Sequence, residues 1–456
     1  MCFLEQMTHM MIQGSDPCKN SMKFYKSILQ KILAKLARAT IRRYKPIIIG
    51  ITGSVGKTST REVVFAVLSK KYRVRQAEKN YNNEIGFPLA ILGISHYGRN
   101  IFKWLFALIH VNLRLSALVR DQYPEILVLE YGVDRPDDMD YLLSIAKPHI
   151  AIVTAIGDIP VHVEFFKDPE ELIAEKTKLV QALPDDGTAI LNHDDFAVYG
   201  MKDKTKARVI TFGIEEHANV KIANHELRIK KDKNEDNVPD GVSFKIEHKG
   251  NVVPMRLYNT FGVPQVYSAA AAASAGITLG LNLVDISEAL AQFNPPPGRL
   301  RLLEGIKNSW ILDDTYNAAP ESMRLALDTL KDLPGKRKIV VLGDMLEIGK
   351  YSEAAHRAVG DQAAKFVDLL FCVGPRTKFV AEEARMRGMK HEKVLLFDNS
   401  ESAGQALDPL IRDGDLILVK GSQSMRMEKA VEEIMAHPEK AAELLVRQDA
   451  HWRNKK

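Results

Sequence analysis

Cysteine is scarce in this chain. Only Cys2, Cys18 and Cys372 occur among 456 residues, and no two stand at CxxC spacing. That excludes a cysteine zinc site and a disulfide framework, and it fits a reducing cytoplasm. Long apolar runs are also missing. The longest candidate, "IFKWLFALIHVNLRLSALV" at 101–119, is interrupted by Lys103, His110, Asn112 and Arg114. A membrane span needs about 18 uninterrupted apolar residues, so this segment reads as a buried or interfacial helix. The first twenty residues lack a basic start followed by a sustained apolar core, so no signal peptide is expected. Nor does one charge dominate: 63 Lys and Arg against 58 Asp and Glu leave +5, too little to indicate a general nucleic-acid binder.

What is present is ordinary soluble composition, 46% apolar and 27% charged, in a chain long enough for two or three domains. Residues 21–43 read as a helix. Phe24, Ile28, Ile32 and Leu36, with Leu29 and Leu33 beside them, recur at helical spacing, and Lys and Arg take the other face. Such a helix either packs on its own domain with a solvated basic face or lies on an anionic membrane surface.

From Ile47 onward apolar strands alternate with amphipathic helices, the pattern of a parallel α/β sheet. Strands are expected at 47–51, 126–131, 150–155, 187–191 and 208–212. Residues 219–258 change to antiparallel hairpins, with "KKDKNEDNVPDG" as an exposed turn, and the small-residue helix "SAAAAASAGITLGL" follows. The stiff segment "NPPPGR" at 294–299 marks a domain boundary. Beyond it, strands at 309–313, 338–342, 368–373, 394–397 and 415–419 alternate with helices. The expected architecture is α/β: a basic helical segment at 1–45, a central P-loop ATPase-type parallel-sheet domain at 46–298, and a Rossmann-like α/β domain at 299–456. No short-period repeat occurs.

The chemistry centres on "PIIIGITGSVGKTST", Pro46 to Thr60. A glycine loop between strand and helix aims successive backbone N–H groups at a phosphate, and the helix dipole adds to the attraction. Gly53, Ser54, Val55 and Gly56 form that cradle. Lys57 neutralises phosphate oxygens and the Thr58 hydroxyl is placed to ligate Mg²⁺. Position 51 is Ile, so the loop is the shorter GxxGKT form. Glu130 ends the apolar strand "EILVLEYG", where a carboxylate faces the ligand crevice of an open α/β sheet.

The loop "GITGSVGKTST" resembles the ATP loop of the Mur ligase superfamily, which joins an amine to an ATP-activated carboxylate. "KNYNNEIGFPLAIL" (79–92), "LEYGVDRPDDMDYL" (129–142), "GTAILNHDD" (187–195), "DDTYNAAPESM" (313–323), "VVLGDMLEIG" (340–349) and "LVKGSQSM" (418–425) are similar to blocks of its D-alanyl-D-alanine-adding branch. The resemblance spans roughly residues 46–436 and implies ATP and two magnesium ions as cofactors, with Thr58, Glu130, His162 and Lys176 around the metals. Lys176 matches a lysine that the family carbamylates with CO₂, with Lys178 as the rival position. Lys57, Lys176 and His162 are the implied catalytic residues. Arg299, Asp313 or Asp314, Tyr316 and Asn317 are implied nucleotide contacts, the last four standing against a simple Asx turn at a strand end. Lys420 and Ser422 correspond to residues near the incoming amine. Asn80, Asn82 and Asn83 correspond to the acyl-acceptor side, unless those asparagines only bond their own loop.

The sequence departs from the family in two places. Pro264, Gln265 and Ser268 stand where the family usually has a histidine–asparagine motif, which affects the base and ribose contacts. The branch also carries an N-terminal domain that holds the uridine diphosphate of the substrate. Such a domain does not fit easily into the roughly 45 residues before the loop. A reduced or missing UDP domain is therefore expected, with residues 21–43 and 95–122 as a substitute or as a peripheral membrane contact. The resemblance implies a cytoplasmic monomeric ligase of peptidoglycan precursors, acting on a muramoyl peptide and D-Ala-D-Ala or a similar dipeptide. A lipid-linked acceptor, a folate-type polyglutamate ligase and a nucleotide-binding scaffold without chemistry are the alternatives. The folate branch lacks the "DDTYNAAPESM" block, and the lipid-precursor amidating subunit usually bears a four-cysteine zinc ribbon that three scattered cysteines cannot make.

Overall fold

Unbroken apolar runs such as "IIIGI", "ILVL" and "IAIV" suit strands covered on both faces, and their β-branched residues favour extended backbone. In the computed structural model, which describes residues 17–77, 82–98, 100–116, 122–231 and 237–453, these runs form the middle of a nine-stranded sheet. Its strands are β1 (Ile47–Thr52), β2 (Val74–Gln76), β3 (Ile126–Glu130), β4 (Ile150–Val153), β5 (Thr188–Asn192), β6 (Arg208–Gly213), β7 (Val220–Lys231), β8 (Asn237–His248) and β9 (Asn251–Tyr258). The spatial order is β2-β3-β1-β4-β5-β6-β7-β8-β9. Pairing is parallel from β2 to β7, and β7, β8 and β9 form an antiparallel meander. The connection from β1 crosses β3 to reach β2, and the connection from β3 crosses β1 the other way to reach β4. That creates a crevice at the strands' carboxyl ends.

One expectation fails at the meander. "NVPDG" (237–241) is not an exposed turn but the start of β8, paired with the end of β7 from Asn237↔Lys231 onward. Val238 and Val242 are buried there, so their alternation carries the strand through a stretch whose polar residues suggested a loop.

The helices of this unit are α1 (Pro17–Tyr44), α2 (Lys57–Leu68), α3 (Gly86–Leu92), α4 (Ile101–Leu115), α5 (Asp138–Ile145), α6 (Pro169–Gln181), α7 (Val263–Thr278) and α8 (Leu283–Ala291). α7 owes its alanines to space. Residues 269–273 are five fully buried alanines, and a Cβ on Gly276 would come within 3.1 Å of both Val67 and Ile286. Small side chains let α7 lie close between α2, α8 and the sheet while keeping high helix propensity.

The second sheet has β10 (Arg301–Gly305), β11 (Ser309–Asp314), β12 (Arg337–Gly343), β13 (Leu369–Val373), β14 (Val394–Phe397) and β15 (Asp415–Lys420), in the order β10-β11-β15-β12-β13-β14. All its pairs are parallel except β10 with β11. β10 and β2 are strands the pattern did not announce, each too short to show a period.

α1 packs on the first unit through much of the expected face: Leu33 is buried in the core and Leu29 and Leu36 pack against it, but two isoleucines fall outside. Leu33, Ala34, Ala37 and Thr40 are buried, whereas Ile28 and Ile32 each remain 40% exposed. The seam is set by small residues that allow close approach to the neighbouring helices, and the larger isoleucines fall to its edge. Leu33→Ala should therefore lower unfolding stability by about 2–4 kcal/mol, while Ile28→Ala should cost less than about 1 kcal/mol. Urea titration of both variants measures the difference.

Candidate active site

The phosphate loop follows directly from β1. Gly53 sits at φ +139°, and a Cβ there would fall 2.1 Å from Thr154 Oγ1. Only glycine allows that approach. Gly56, at φ +85°, caps α2. The end of β4 braces the loop: Ser54 N and Val55 N donate to Ala155 O (2.7 and 3.0 Å), and Thr154 Oγ1 donates to Val55 O at 2.7 Å.

Two lysines meet beneath the loop. Lys57 Nζ donates to Gly53 O at 2.7 Å, and Lys176 Nζ, from α6, donates to the same oxygen at 3.2 Å. Lys176 is shut away from water, whereas Lys57 is half-buried and lines the cleft. Burial pushes the Lys176 amine down to about 7, the Lys57 charge beside it pushes the same way, and Asp134 and Glu175 oppose. Burial also lowers Lys57, with Glu130 and Asp134 opposing. Lys178 faces elsewhere, pairing with Asp140 at 2.5 Å and Glu175 at 2.6 Å. Partial burial works to lower its amine, but those two hydrogen bonds hold it above the ordinary lysine value.

Glu130 ends β3 beside this pair. Its carboxylate is buried, Oε1 has no hydrogen-bond partner, and Oε2 lies 3.8 Å from the Arg61 guanidinium. A buried carboxylate oxygen left without a donor fits a cation. With the Thr58 hydroxyl on the same cleft wall, the donors are oxygens, the set that Mg²⁺ prefers. The His162 ring stands between two carboxylates. Nδ1 lies 2.9 Å from Glu347 and Nε2 3.3 Å from Asp134, on a backbone at φ +71°, though Nδ1 makes no well-formed hydrogen bond. The His162 ring beside it holds the Glu347 carboxyl below its ordinary value, against the effect of burial. Among the described residues no group of three or more His, Cys, Asp or Glu forms a ready metal cage. A metal at His162 would have to displace one of its carboxylate partners.

The opposite wall comes from the carboxyl ends of the second sheet. Asp314 and Lys420 are register partners on β11 and β15, and Lys420 Nζ donates to Asp314 Oδ2 at 2.5 Å and to Asn317 O at 2.9 Å. Asp313, its neighbour, turns inward. It accepts from Gly298 N, Thr315 N and Thr315 Oγ1, and burial raises its carboxyl to about 6. Of the two aspartates only Asp314 lines the cleft, and Asp313 is the Asx-type brace of the turn. The Arg299 guanidinium stacks 3.8 Å over the Tyr316 ring, with its Nε buried and unbonded. Asn317 Oδ1 accepts from Ala318 N, and Ser422 Oγ accepts from Leu346 N at 2.9 Å.

These walls enclose a cleft of about 540 Å³ that Ser54–Thr58, Asn82, Asn83, Glu130, His162, Arg299, Asp314, Tyr316, Asn317, Lys420 and Ser422 all line. Gly53 contributes its carbonyl from below and Lys176 stands behind it. Asn83 Oδ1 also accepts from Gly86 N at the start of α3, and Asn80 lies outside the described residues. A second cavity of about 800 Å³ adjoins Gly56, bordered by Asp194, Phe196, Pro264, Tyr267 and Ser268. Tyr267 donates to Asp194 Oδ2 at 2.5 Å. Gln265 Nε2 is spent on Arg299 O, and Ser268 Oγ lies 3.3 Å from Thr60 Oγ1.

Sequence reasoning did not single out Asp134, Glu347, Arg61 or Arg447. Arg447 is buried, bonds Glu428 Oε2 at 2.7 Å and the carbonyl of Tyr316 at 3.0 Å, and so fixes the turn that carries the Arg299 stack. Asp134 and Glu347 do lie inside the motif blocks at 129–142 and 340–349, which was the available signal.

Known proteins share this arrangement. Residues 107–276 match the family model of the Mur ligase middle domain, and residues 298–423 match that of the Mur ligase glutamate ligase domain. The chain is 29% identical over 413 residues to the UDP-N-acetylmuramoyl-tripeptide–D-alanyl-D-alanine ligase of Bacillus subtilis, covering 89% of this chain and 79% of that protein. It is 30% identical over 402 residues to the enzyme of the same name from Synechocystis, covering 87% and 76%. The crystal structure of the MurF ligase from Thermotoga maritima in complex with ADP superposes with a TM-score of 0.71 at 26% identity, covering 89% of this chain and 83% of that one.

The buried Lys176 amine carries a linked prediction. The unfolded chain holds that proton up to the ordinary value of 10.5, whereas the folded protein gives it up near 7. The unfolded state thus binds more protons across this window, and this group's contribution to stability rises with pH through it. Lys176→Met should stabilise the fold by on the order of a few kcal/mol around pH 6, a gain fading toward pH 10. Thermal melts of both proteins across that range measure it, and a gain independent of pH would contradict it.

Proposed function

The chain belongs to the Mur ligase family, and on that premise we propose that it is an ATP-dependent carbon–nitrogen ligase of peptidoglycan precursor synthesis, joining D-alanyl-D-alanine to UDP-N-acetylmuramoyl-tripeptide with formation of ADP. The observation that carries the reading is the convergence of Lys57 and Lys176 under a phosphate loop, beside the unbonded oxygen of Glu130.

Joining a carboxylate to an amine at neutral pH requires an activated acyl group. The terminal carboxylate of the tripeptide attacks the γ-phosphorus of ATP, ADP leaves, and an acyl phosphate forms. The dipeptide amine then adds to the acyl carbon, and the tetrahedral intermediate expels phosphate. The protein's share is positioning and charge neutralisation. Lys57 exchanges its bond to Gly53 O for phosphate oxygens, and the N–H groups at the start of α2 receive the rest of the triphosphate, since Ser54 N and Val55 N are held by Ala155 O. Arg299, pinned on Tyr316, brings a guanidinium from the hinge to the same charge. Asn82 and Asn83 face the acyl side. Lys420, neutralised by Asp314, and Ser422 face the carboxylate of the incoming dipeptide. Mg²⁺, which Glu130 and Thr58 are suited to hold, supplies screening of the phosphate charge during transfer. The cavity bordered by Tyr267 and Phe196 receives the adenosine end, in place of the missing histidine–asparagine motif.

Carbamylation of Lys176 belongs to this reading. CO₂ adds only to a neutral amine, and an amine that loses its proton near 7 supplies one at physiological pH. Lys178, charged and paired with acids, does not. The carbamate would reverse the charge at that point and relieve the repulsion from Lys57. The reading also takes the enzyme to be monomeric and cytoplasmic, with peripheral contact at the inner membrane face through residues 21–43 and 95–122.

Phosphate release with UDP-N-acetylmuramoyl-tripeptide and D-Ala-D-Ala tests the activity. Lys57→Ala should lower kcat by about 10³-fold or more, and an unchanged rate would refute the phosphate role. Removing CO₂ should lower the wild-type rate and added bicarbonate should restore it, while Lys176→Arg responds to neither. A wild-type rate indifferent to bicarbonate would refute carbamylation but leave the ligase reading standing.

A further inference from the structure

α4 is bound to the domain by one face only. Trp104, Ala107 and Val111 are buried, and the Trp104 indole donates to Gly98 O at 3.1 Å. Phe102, Leu105, Phe106, Ile109 and Leu113 form the opposite stripe at helical spacing, all exposed, with Phe102 85% and Phe106 75% open to solvent. Five large apolar side chains on one outward face exceed the scattered exposure of a normal surface and mark an interaction site. α1 packs beside α4, with Arg43 donating to Leu115 O at 3.1 Å, and it adds the half-exposed Ile28 and Ile32.

The charge on the two helices and the sequence flanking them has one sign. No Asp or Glu occurs from Pro17 to Arg61, nor from Ile85 to Arg120, while α1 alone carries eight Lys and Arg. Lys31, Lys35, Arg42, Arg43 and Lys103 are exposed. A second copy of the chain would bring this cationic surface against itself. An anionic lipid surface accepts both features at once: the apolar stripe enters the acyl boundary, and the cations stay with the phosphates.

We infer that the α4 stripe, rimmed by the basic face of α1, docks the protein in the plane of an anionic phospholipid bilayer. The inference rests on the peripheral-contact part of the functional reading and not on the ligase chemistry. It assigns the penetrating surface to α4 rather than to the basic helix, whose cations act as the electrostatic rim. No helix among the described residues is long and apolar enough to cross a membrane, so the mode is interfacial.

Co-sedimentation of the full chain with phosphatidylglycerol–phosphatidylcholine vesicles, and with pure phosphatidylcholine, tests this. Binding is expected to the anionic vesicles and to be much weaker to the neutral ones. Phe102→Ser combined with Phe106→Ser should weaken it by about tenfold or more, and Lys31→Glu with Lys35→Glu comparably. Both double variants should keep the wild-type rate of ligation on soluble substrates, since none of these residues lines the cleft. Absence of binding to anionic vesicles, or equal binding by wild type and the phenylalanine variant, overturns the proposal. So does a dimer that the phenylalanine variant dissolves while vesicles go unbound. Loss of ligase activity alongside normal vesicle binding would instead count against the functional reading alone.

Discussion

Two lysine amines share one carbonyl oxygen, and much of the site depends on that constraint. Gly53 O accepts from Lys57, on the cleft wall, at 2.7 Å and from the buried Lys176 at 3.2 Å. Two ammonium groups so close repel, and burial penalises each, so they cannot both stay charged comfortably without an anion. A polyphosphate meets that need from the cleft side. The Lys176 amine, pushed to about 7, meets it from the other side by giving up its proton. The arrangement therefore suits an anionic ligand on the cleft side of the pair.

The sheet explains why these groups meet at all. β1, β3 and β4 end side by side, delivering the loop, Glu130 and the Thr154–Ala155 brace to one crevice. β11 and β15 end opposite, delivering Asp314 and Lys420 as register neighbours. The parallel strands of each sheet present their carboxyl ends to the cleft, and the antiparallel β10 begins there, just after Arg299. A reaction between three substrates gains from this, because the two halves hold different reactants and the Arg299 hinge joins them. Arg299 itself is steadied through Tyr316, whose turn is tied to Arg447 and Glu428.

The parts legible in the sequence were those encoded within a few residues. The loop, Glu130 at a strand end and the alternation of strands and helices all follow from local pattern. Decisions that depend on which way a side chain turns did not. Lys176 and Lys178 differ by two positions, and only burial against paired acids separates them. Asp313 and Asp314 are adjacent, and strand alternation sends one into the turn and the other to Lys420. On α1 the expected leucines pack, but Ile28 and Ile32 stay at the edge because close helix packing favours alanine at the centre of the seam. Asp134 and Glu347 come from separate segments and have meaning only once both stand against His162.

The helical layer at the start of the chain follows the same logic of divided faces. α1 buries Leu33, Ala34 and Ala37 toward α3, whose first turn is capped by Asn83 from the loop that lines the cleft. That inner face thus helps hold a substrate wall in place. α4 commits Trp104 and Val111 to the same core, and this suffices to fix the helix. Its phenylalanines are then surplus to folding, since burying them is not needed to order the segment. Residues that weaken solubility without adding to the core require another interaction to account for them. The absence of acidic residues from α1 and α4 themselves narrows that interaction to an anionic surface, and the flat helical stripe narrows it further to one that yields to shallow penetration. A rigid acidic partner would have to present a groove matching all five side chains, whereas a lipid interface conforms to them.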